Sequence, residues 1–194
     1  MMKPIVPKKY WKSYIQTGKE RILQVLFSFP DKEFSLSDLA KEAKIAKANV
    51  GEILNELQGL EIIEIIKLSS IWRIKANQKS WKFIRAKIVY NLNFVYQSGL
   101  VEFLDEQFNN PKAIILFGSF RKGEDISDSD IDIAIETYES RAYGTIQLDE
   151  LSGFEKIIGR KIQIHLFNRE KIDLNVFNNL ANGIVLSGFL EVKK

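Results

Sequence analysis

Apolar residues first recur at helical spacing at Ile22, Leu23, Leu26 and Phe27, in a run that begins at Lys19 and that Pro30 and Asp31 bring to an end. Ser37 reads as the N-cap of a short second helix reaching Ala43, with Leu39, Ala40 and Ala43 facing inward. Val50, Ile53, Leu54 and Leu57 mark a third helix after Lys44 and Ile45. The β-branched runs 62–68 and 71–75, parted only by Ser69 and Ser70, predict a two-stranded hairpin. Helical spacing then returns at Trp81, Ile84, Ile88, Leu92 and Val95. It continues past Ser98 and Gly99 with Leu100, Phe103, Leu104 and Phe108, which predicts a long connecting helix, kinked or broken at that pair. Phe83, Val89, Tyr90, Phe94 and Tyr96 make this helix apolar on more than one face, so it should be covered on both sides, by the domains it joins or by a second copy of the chain in a homodimer. Its aromatic residues read as core rather than as a platform for bases.

Beyond residue 110 the pattern changes. Ala113–Phe117 is a short continuous apolar run between Pro111 and Gly118, the signature of a buried strand ending in a turn. From Asp130 to Ile135 acid and apolar residues alternate, as in a half-exposed strand. A helix over 145–158 closed by Gly159, a strand over 161–167, a short helix over 172–181 and a closing hairpin around Ser187 and Gly188 complete the prediction. The fold class is α+β, in four parts: a tail over 1–17, a three-helix-plus-hairpin domain over 18–77, the connecting helix over 78–110 and a mixed sheet flanked by helices over 111–194.

Composition narrows the chemistry. A chain of 194 residues with 45% hydrophobic content can bury a core, and no apolar run approaches the roughly 20 residues of a membrane-spanning helix. The first residues lack the apolar stretch of a signal peptide, so a cytoplasmic location without membrane contact is expected. With no cysteine and the single His165, thiolate chemistry is excluded and any metal must sit on carboxylates. The net charge of +3 comes largely from the tail, where Lys3, Lys8, Lys9 and Lys12 meet no acid; interleaved with Tyr10, Trp11 and Tyr14 they suit either a nucleic-acid backbone or plain solvation.

The stretch FSLSDLAKEAKIAKANVGEILNELQGLEIIEIIKLSSIWRI resembles the winged helix-turn-helix modules of transcription regulators over residues 18–77. That resemblance implies DNA contacts from Lys47, Asn49 and Asn55 on the third helix and from Lys67 and Arg73 on the hairpin. Glu52 on the same face and the neutral charge of the module fit instead a winged helix used for protein contacts or dimerisation.

The segment AIILFGSFRKGEDISDSDIDIAIE, residues 113–136, carries the chemistry. Gly118 lets a backbone approach a ligand closely, Ser119 and the N–H groups of a following helical turn suit phosphate oxygens, Arg121 and Lys122 lie beside that anion, and Gly123 ends the turn. At period two, Asp130 and Asp132 leave one face of their strand about 6 to 7 Å apart while Ile131, Ile133 and Ile135 enter the core. Two unpaired like charges so placed are best tolerated with a divalent cation between them, magnesium by preference or manganese. Phosphate donors beside a metal pair imply phosphoryl or nucleotidyl transfer from a nucleoside triphosphate.

Gly118 and Ser119 followed after ten residues by Asp130, Ile131, Asp132 and Ile133 resemble the signature of the DNA polymerase beta-like nucleotidyltransferase superfamily. The likeness is to its minimal members, which resemble the catalytic half of kanamycin nucleotidyltransferase and include antitoxins partnered with HEPN-domain proteins. The resemblance implies triphosphate binding, ATP by preference, at Gly118 and Ser119, and metal binding at Asp130 and Asp132. It also implies a third acid on a later strand, and this chain has Gln163 at that position, which brings no charge and takes no proton. Glu136 lies about 13 Å along the strand from Asp132, too far to share an ion. Asp125, Asp128 or Glu155 could fold in as the substitute, and His165 reads as an ordinary strand histidine or as a base. Two functions follow: a metal-dependent enzyme moving a nucleoside monophosphate onto an acceptor hydroxyl, or a DNA-binding regulator or antitoxin-like partner of a HEPN-domain protein with a degenerate site.

Overall fold

Thr17 opens the first helix with a reciprocal cap: its hydroxyl accepts from the Glu20 N–H at 3.2 Å, and the Glu20 carboxylate accepts from the Thr17 N–H at 2.9 Å. The computed structural model describes residues 17–68, 71–138 and 142–192, and the chain divides into two compact units, one within residues 9–90 and one within 91–194. The basic tail expected over 1–17 lies outside the described residues except for Thr17, as do Ser69 and Ser70 between the hairpin strands.

The first unit runs α1 (Gly18–Ser28), β1 (Glu33–Phe34), α2 (Leu36–Glu42), a 3-10 turn (Lys47–Asn49), α3 (Val50–Gly59), β2 (Ile63–Leu68) and β3 (Ile71–Ala76). Its sheet has the order β1-β3-β2, all antiparallel, which with three helices makes a winged helix. Ile22, Leu26, Leu39, Val50, Leu54 and Ile74 are fully buried, each worth about 1.5–3 kcal/mol relative to exposure. Helix α2 is capped by Ser35 rather than Ser37: the Ser35 hydroxyl accepts from the Asp38 N–H at 3.1 Å, and one residue of extended backbone then connects it to β1.

Helix α4 (Trp81–Gln97) contributes residues to both units. Phe83 joins the core of the first, while from the second part Asn91 donates to the Phe120 carbonyl at 2.8 Å. The helix stops where the sequence predicts a break, at Ser98 and Gly99, the latter left-handed at φ 76°, and α5 (Leu100–Gln107) follows. Cover on both faces holds only in part, since Phe83, Phe94 and Val95 are buried whereas Trp81 and Val89 are more than half exposed.

In the second unit β4 (Ala113–Phe117), β5 (Ile131–Glu136), β6 (Tyr143–Ile146), β7 (Ile162–Phe167) and β8 (Ile184–Gly188) form one mixed sheet of order β6-β7-β5-β4-β8. Only β5 and β7 pair in parallel. Helix α6 (Gly118–Lys122) follows β4, α7 (Ser152–Ile158) precedes β7, and α8 (Leu174–Ala181) precedes β8. Two expectations are corrected. Residues 143–146 are a strand paired antiparallel to β7, so the helix predicted from Thr145 begins only at Ser152, after a 3-10 turn at Asp149–Leu151. The C-terminal apolar run is no hairpin: β8 pairs antiparallel with β4 instead, covering the edge that β4 would otherwise leave open. Among the described residues no helix is long and apolar enough to cross a membrane.

Candidate active site

Strand β4 ends against the start of β5, with Phe117 opposite Asp132. The chain then turns at Gly118, whose φ of 73° and whose surroundings both require glycine: a Cβ there would lie 2.2 Å from Asp132 Oδ2. The Gly118–Lys122 turn is closed by Gly123 in the left-handed region, as the sequence predicts. Its leading N–H groups have no intrahelical acceptor, which is what an anion needs. Arg121 adds a further donor, for its Nε is buried without a hydrogen-bond partner among the described residues. Lys122 is exposed.

Asp130 stands just before β5 and is exposed, while Asp132 sits within the strand, partly covered. The parallel register sets Asp132 directly beside Gln163, the position the resemblance reserves for a third acid, and Gln163 is exposed. What the sequence did not reveal is the diagonal neighbour. His165, nearly buried, places Nε2 3.2 Å from Asp132 Oδ1. Its Nδ1 lies 2.5 Å from the Tyr143 hydroxyl, and its ring stacks on Tyr143 and meets the Phe117 ring edge-on at 4.9 Å between centroids. Burial, then the charge of Asp132, raise the Tyr143 phenol above its ordinary value. A phenol that donates to Nδ1 leaves the proton of a neutral imidazole on Nε2, aimed at Asp132. Strand β6 was the missing signal: with residues 145–158 read as helix, Tyr143 had no place at this site.

Of the other acids considered, Asp128 is exposed and three are engaged elsewhere. Asp125 is fully buried against Arg160 at 2.8 Å and Asn91 at 3.0 Å, Glu155 accepts from the Ile162 N–H at 2.9 Å, and Glu136 is held by Arg169 at 2.9 Å. Among the described residues no three His, Cys, Asp or Glu side chains gather as a metal cluster. The donor chemistry still suits a hard divalent cation of the magnesium type, which takes one or two carboxylates and completes its shell with water and substrate phosphate. Asp130 and Asp132 are such oxygen donors, and Asp132 Oδ2 turns toward the Gly118 turn while Oδ1 is held by histidine.

The DNA candidates divide similarly. Lys47, Asn49 and Asn55 are all exposed along the start and outer face of α3. Arg73 is instead clamped by both carboxylate oxygens of Glu33, which keeps its guanidinium protonated above the ordinary range, and Lys67 lies over the Trp72 ring at 4.1 Å.

Residues 98–186 match the family model described as nucleotidyltransferase domain, which takes in the glycine turn, the two aspartates and Gln163. Among solved structures the chain resembles reduced HlyU from Vibrio cholerae N16961 (14% identity over 50% of this chain and 83% of that one, TM-score 0.30). It also resembles NolR from Sinorhizobium fredii (18% identity over 50% and 99%, TM-score 0.32) and the heme sensor protein PefR from Streptococcus agalactiae in complex with heme (15% identity over 52% and 79%, TM-score 0.33). Likeness this remote says nothing about chemistry. No curated protein matches the chain.

Proposed function

We propose that the nucleotidyltransferase domain moves a nucleoside monophosphate from a triphosphate, ATP by preference, onto an acceptor hydroxyl. The observation that carries this reading is the direct contact between the phosphate turn and a metal-type carboxylate: Asp132 Oδ2 rests against Gly118, so donors for phosphate and a ligand for its cation share one corner of the sheet. In that reading the N–H groups after Gly118, the Ser119 hydroxyl and the Arg121 guanidinium hold the triphosphate, with Lys122 screening its charge. Magnesium or manganese held by Asp130 and Asp132 would neutralise the triphosphate and stabilise the departing pyrophosphate. The acceptor oxygen forms its bond to the α-phosphorus as the bond from that phosphorus to the bridging oxygen breaks. The proton of the hydroxyl passes to solvent, because Gln163 has no basic atom and both ring nitrogens of His165 are engaged.

His165 acts in this scheme as a positioning residue: with Tyr143 fixing its tautomer, it fixes one carboxylate oxygen and leaves the other for the site. Transfer of label from α-labelled nucleotide with magnesium tests the assignment. Asp130→Ala and Asp132→Ala should each lower transfer by at least about a hundredfold, and equal transfer by wild type and both variants would reject the roles given to them.

We infer for the winged-helix unit a contact with DNA through Lys47, Asn49 and Asn55, each of which is exposed. Should transfer be absent even when Gln163→Asp restores the acid, the domain serves a regulator or an antitoxin-like partner of a HEPN-domain protein, and a co-purifying chain would identify the latter.

A further inference from the structure

In the part of α4 that belongs to the second unit, where Phe94 and Val95 are buried as well, Asn91 is a polar side chain only 2% exposed. A buried amide lowers stability unless its hydrogens find acceptors. Both find one. Nδ2 donates to the Phe120 carbonyl at 2.8 Å and to Asp125 Oδ1 at 3.0 Å. Asp125 is itself fully buried, its other oxygen 2.8 Å from the Arg160 guanidinium, and Arg160 in turn donates to the Ile126 carbonyl.

These three side chains grip both ends of the stretch that carries the candidate ligands. At the near end Phe120 lies inside the Gly118–Lys122 turn, where its carbonyl also accepts from the Gly123 N–H at 3.3 Å and the Glu124 N–H donates to the Ser119 carbonyl at 3.0 Å. At the far end the Ile126 N–H donates to the Ser129 hydroxyl at 2.9 Å and the Ser129 N–H to the Ile126 carbonyl at 3.0 Å, which closes a turn immediately before Asp130. The chain between β4 and β5 belongs to no strand, so sheet pairing does not set the Gly118 turn and Asp130 relative to one another. The bonds from Asn91 and Arg160 do. With both amide hydrogens engaged, Asn91 has no donor left for a ligand, and its effect on one must pass through the carbonyl it holds.

We propose that Asn91 is a positioning residue for nucleotide binding: through the Phe120 carbonyl it ties the Gly118 turn to the Asp125–Arg160 pair, so that the phosphate donors and Asp130 face one triphosphate. The inference rests on the reading of that turn as the triphosphate site.

Two measurements on the full chain test it. The variants are Asn91→Leu, similar in size and without donors, and Asn91→Ala, which fits whatever the packing. Leu104→Ala, a truncation of a fully buried side chain in the same unit that takes part in none of these bonds, is the control. Hydrogen exchange read by mass spectrometry should quicken about tenfold over residues 120–126 in both Asn91 variants while strand β7 keeps its wild-type rates. The dissociation constant of MgATP, by isothermal titration calorimetry, should rise about tenfold in both. Leu104→Ala should lower the melting temperature and bind MgATP as wild type does. The proposal is overturned if exchange quickens evenly across the unit, if it quickens at the turn with MgATP affinity unchanged, if Leu104→Ala weakens MgATP as much, or if the Asn91 variants match wild type in both measurements. A wild-type chain that binds no MgATP would instead overturn the triphosphate reading on which the proposal stands.

Discussion

Glycine at position 118 is demanded twice over, by a left-handed backbone and by a carboxylate where a side chain would begin. Gly118→Ala should therefore cost about 1–3 kcal/mol in denaturant unfolding and also abolish transfer, because relief of the clash moves Asp132 off His165. Adding Asp132→Ala should return part of that stability and none of the activity, a coupling that a double-mutant cycle measures. Gln163 is the complementary case, a position where the sequence departs from the pattern it resembles. Restoring the acid with Gln163→Asp should raise label transfer and tighten magnesium binding, and an unchanged rate would mean that a third carboxylate is not what limits the site. Tyr143 supplies a pH signature. Its phenol is held above the ordinary value, so the stabilisation from its neutral form is complete below about pH 10 and fades as pH rises through the higher folded value. Denaturation between neutral and strongly alkaline pH should show a steeper loss for wild type than for Tyr143→Phe, and parallel curves would show that the hydroxyl plays no part.

Elements differ in how far their own residues announce them. Strand β4 is legible because five consecutive apolar residues between a proline and a glycine have no other compact home, and the turn after it because Gly118 and Gly123 stand where positive φ is needed. Strand β6 is not legible: four residues at the sheet edge, alternately exposed, carry too little apolar pattern, and their pairing with β7 depends on residues about 20 positions away. Asp132 and Gln163 fall side by side as expected because both lie on one face of strands with strict period two. His165 reaches Asp132 only through the diagonal of a parallel register that periodicity alone does not specify. Asp125 shows the same limit, since a polar loop residue by pattern is fully buried between α4 and Arg160. Asp125→Ala would strand the Arg160 guanidinium, itself almost inaccessible, and should cost about 3–5 kcal/mol by calorimetry or denaturant. A loss under 1 kcal/mol, on the order of an exposed pair, would mean that the bridge contributes little.

For the chain as a whole, the surplus of positive charge sits mainly in the tail while the winged-helix module is neutral, so DNA affinity should be modest and strongly dependent on salt. Fluorescence anisotropy with duplex DNA at two salt concentrations should show weaker binding for Lys47→Ala, whereas Arg73→Ala should change little because its partner is Glu33. Equal loss from both would return the hairpin to the interface. The boundary between the two units, at Tyr90 and Asn91, falls inside an uninterrupted helix of 17 residues, about 26 Å long. Anyone dissecting this protein thus finds no linker to cut: a fragment ended at residue 90 exposes four dangling carbonyls, and one begun at residue 91 exposes four bare amides. Expression trials of either half should carry the entire rod, from Trp81 to Gln97, even at the expense of duplicating it.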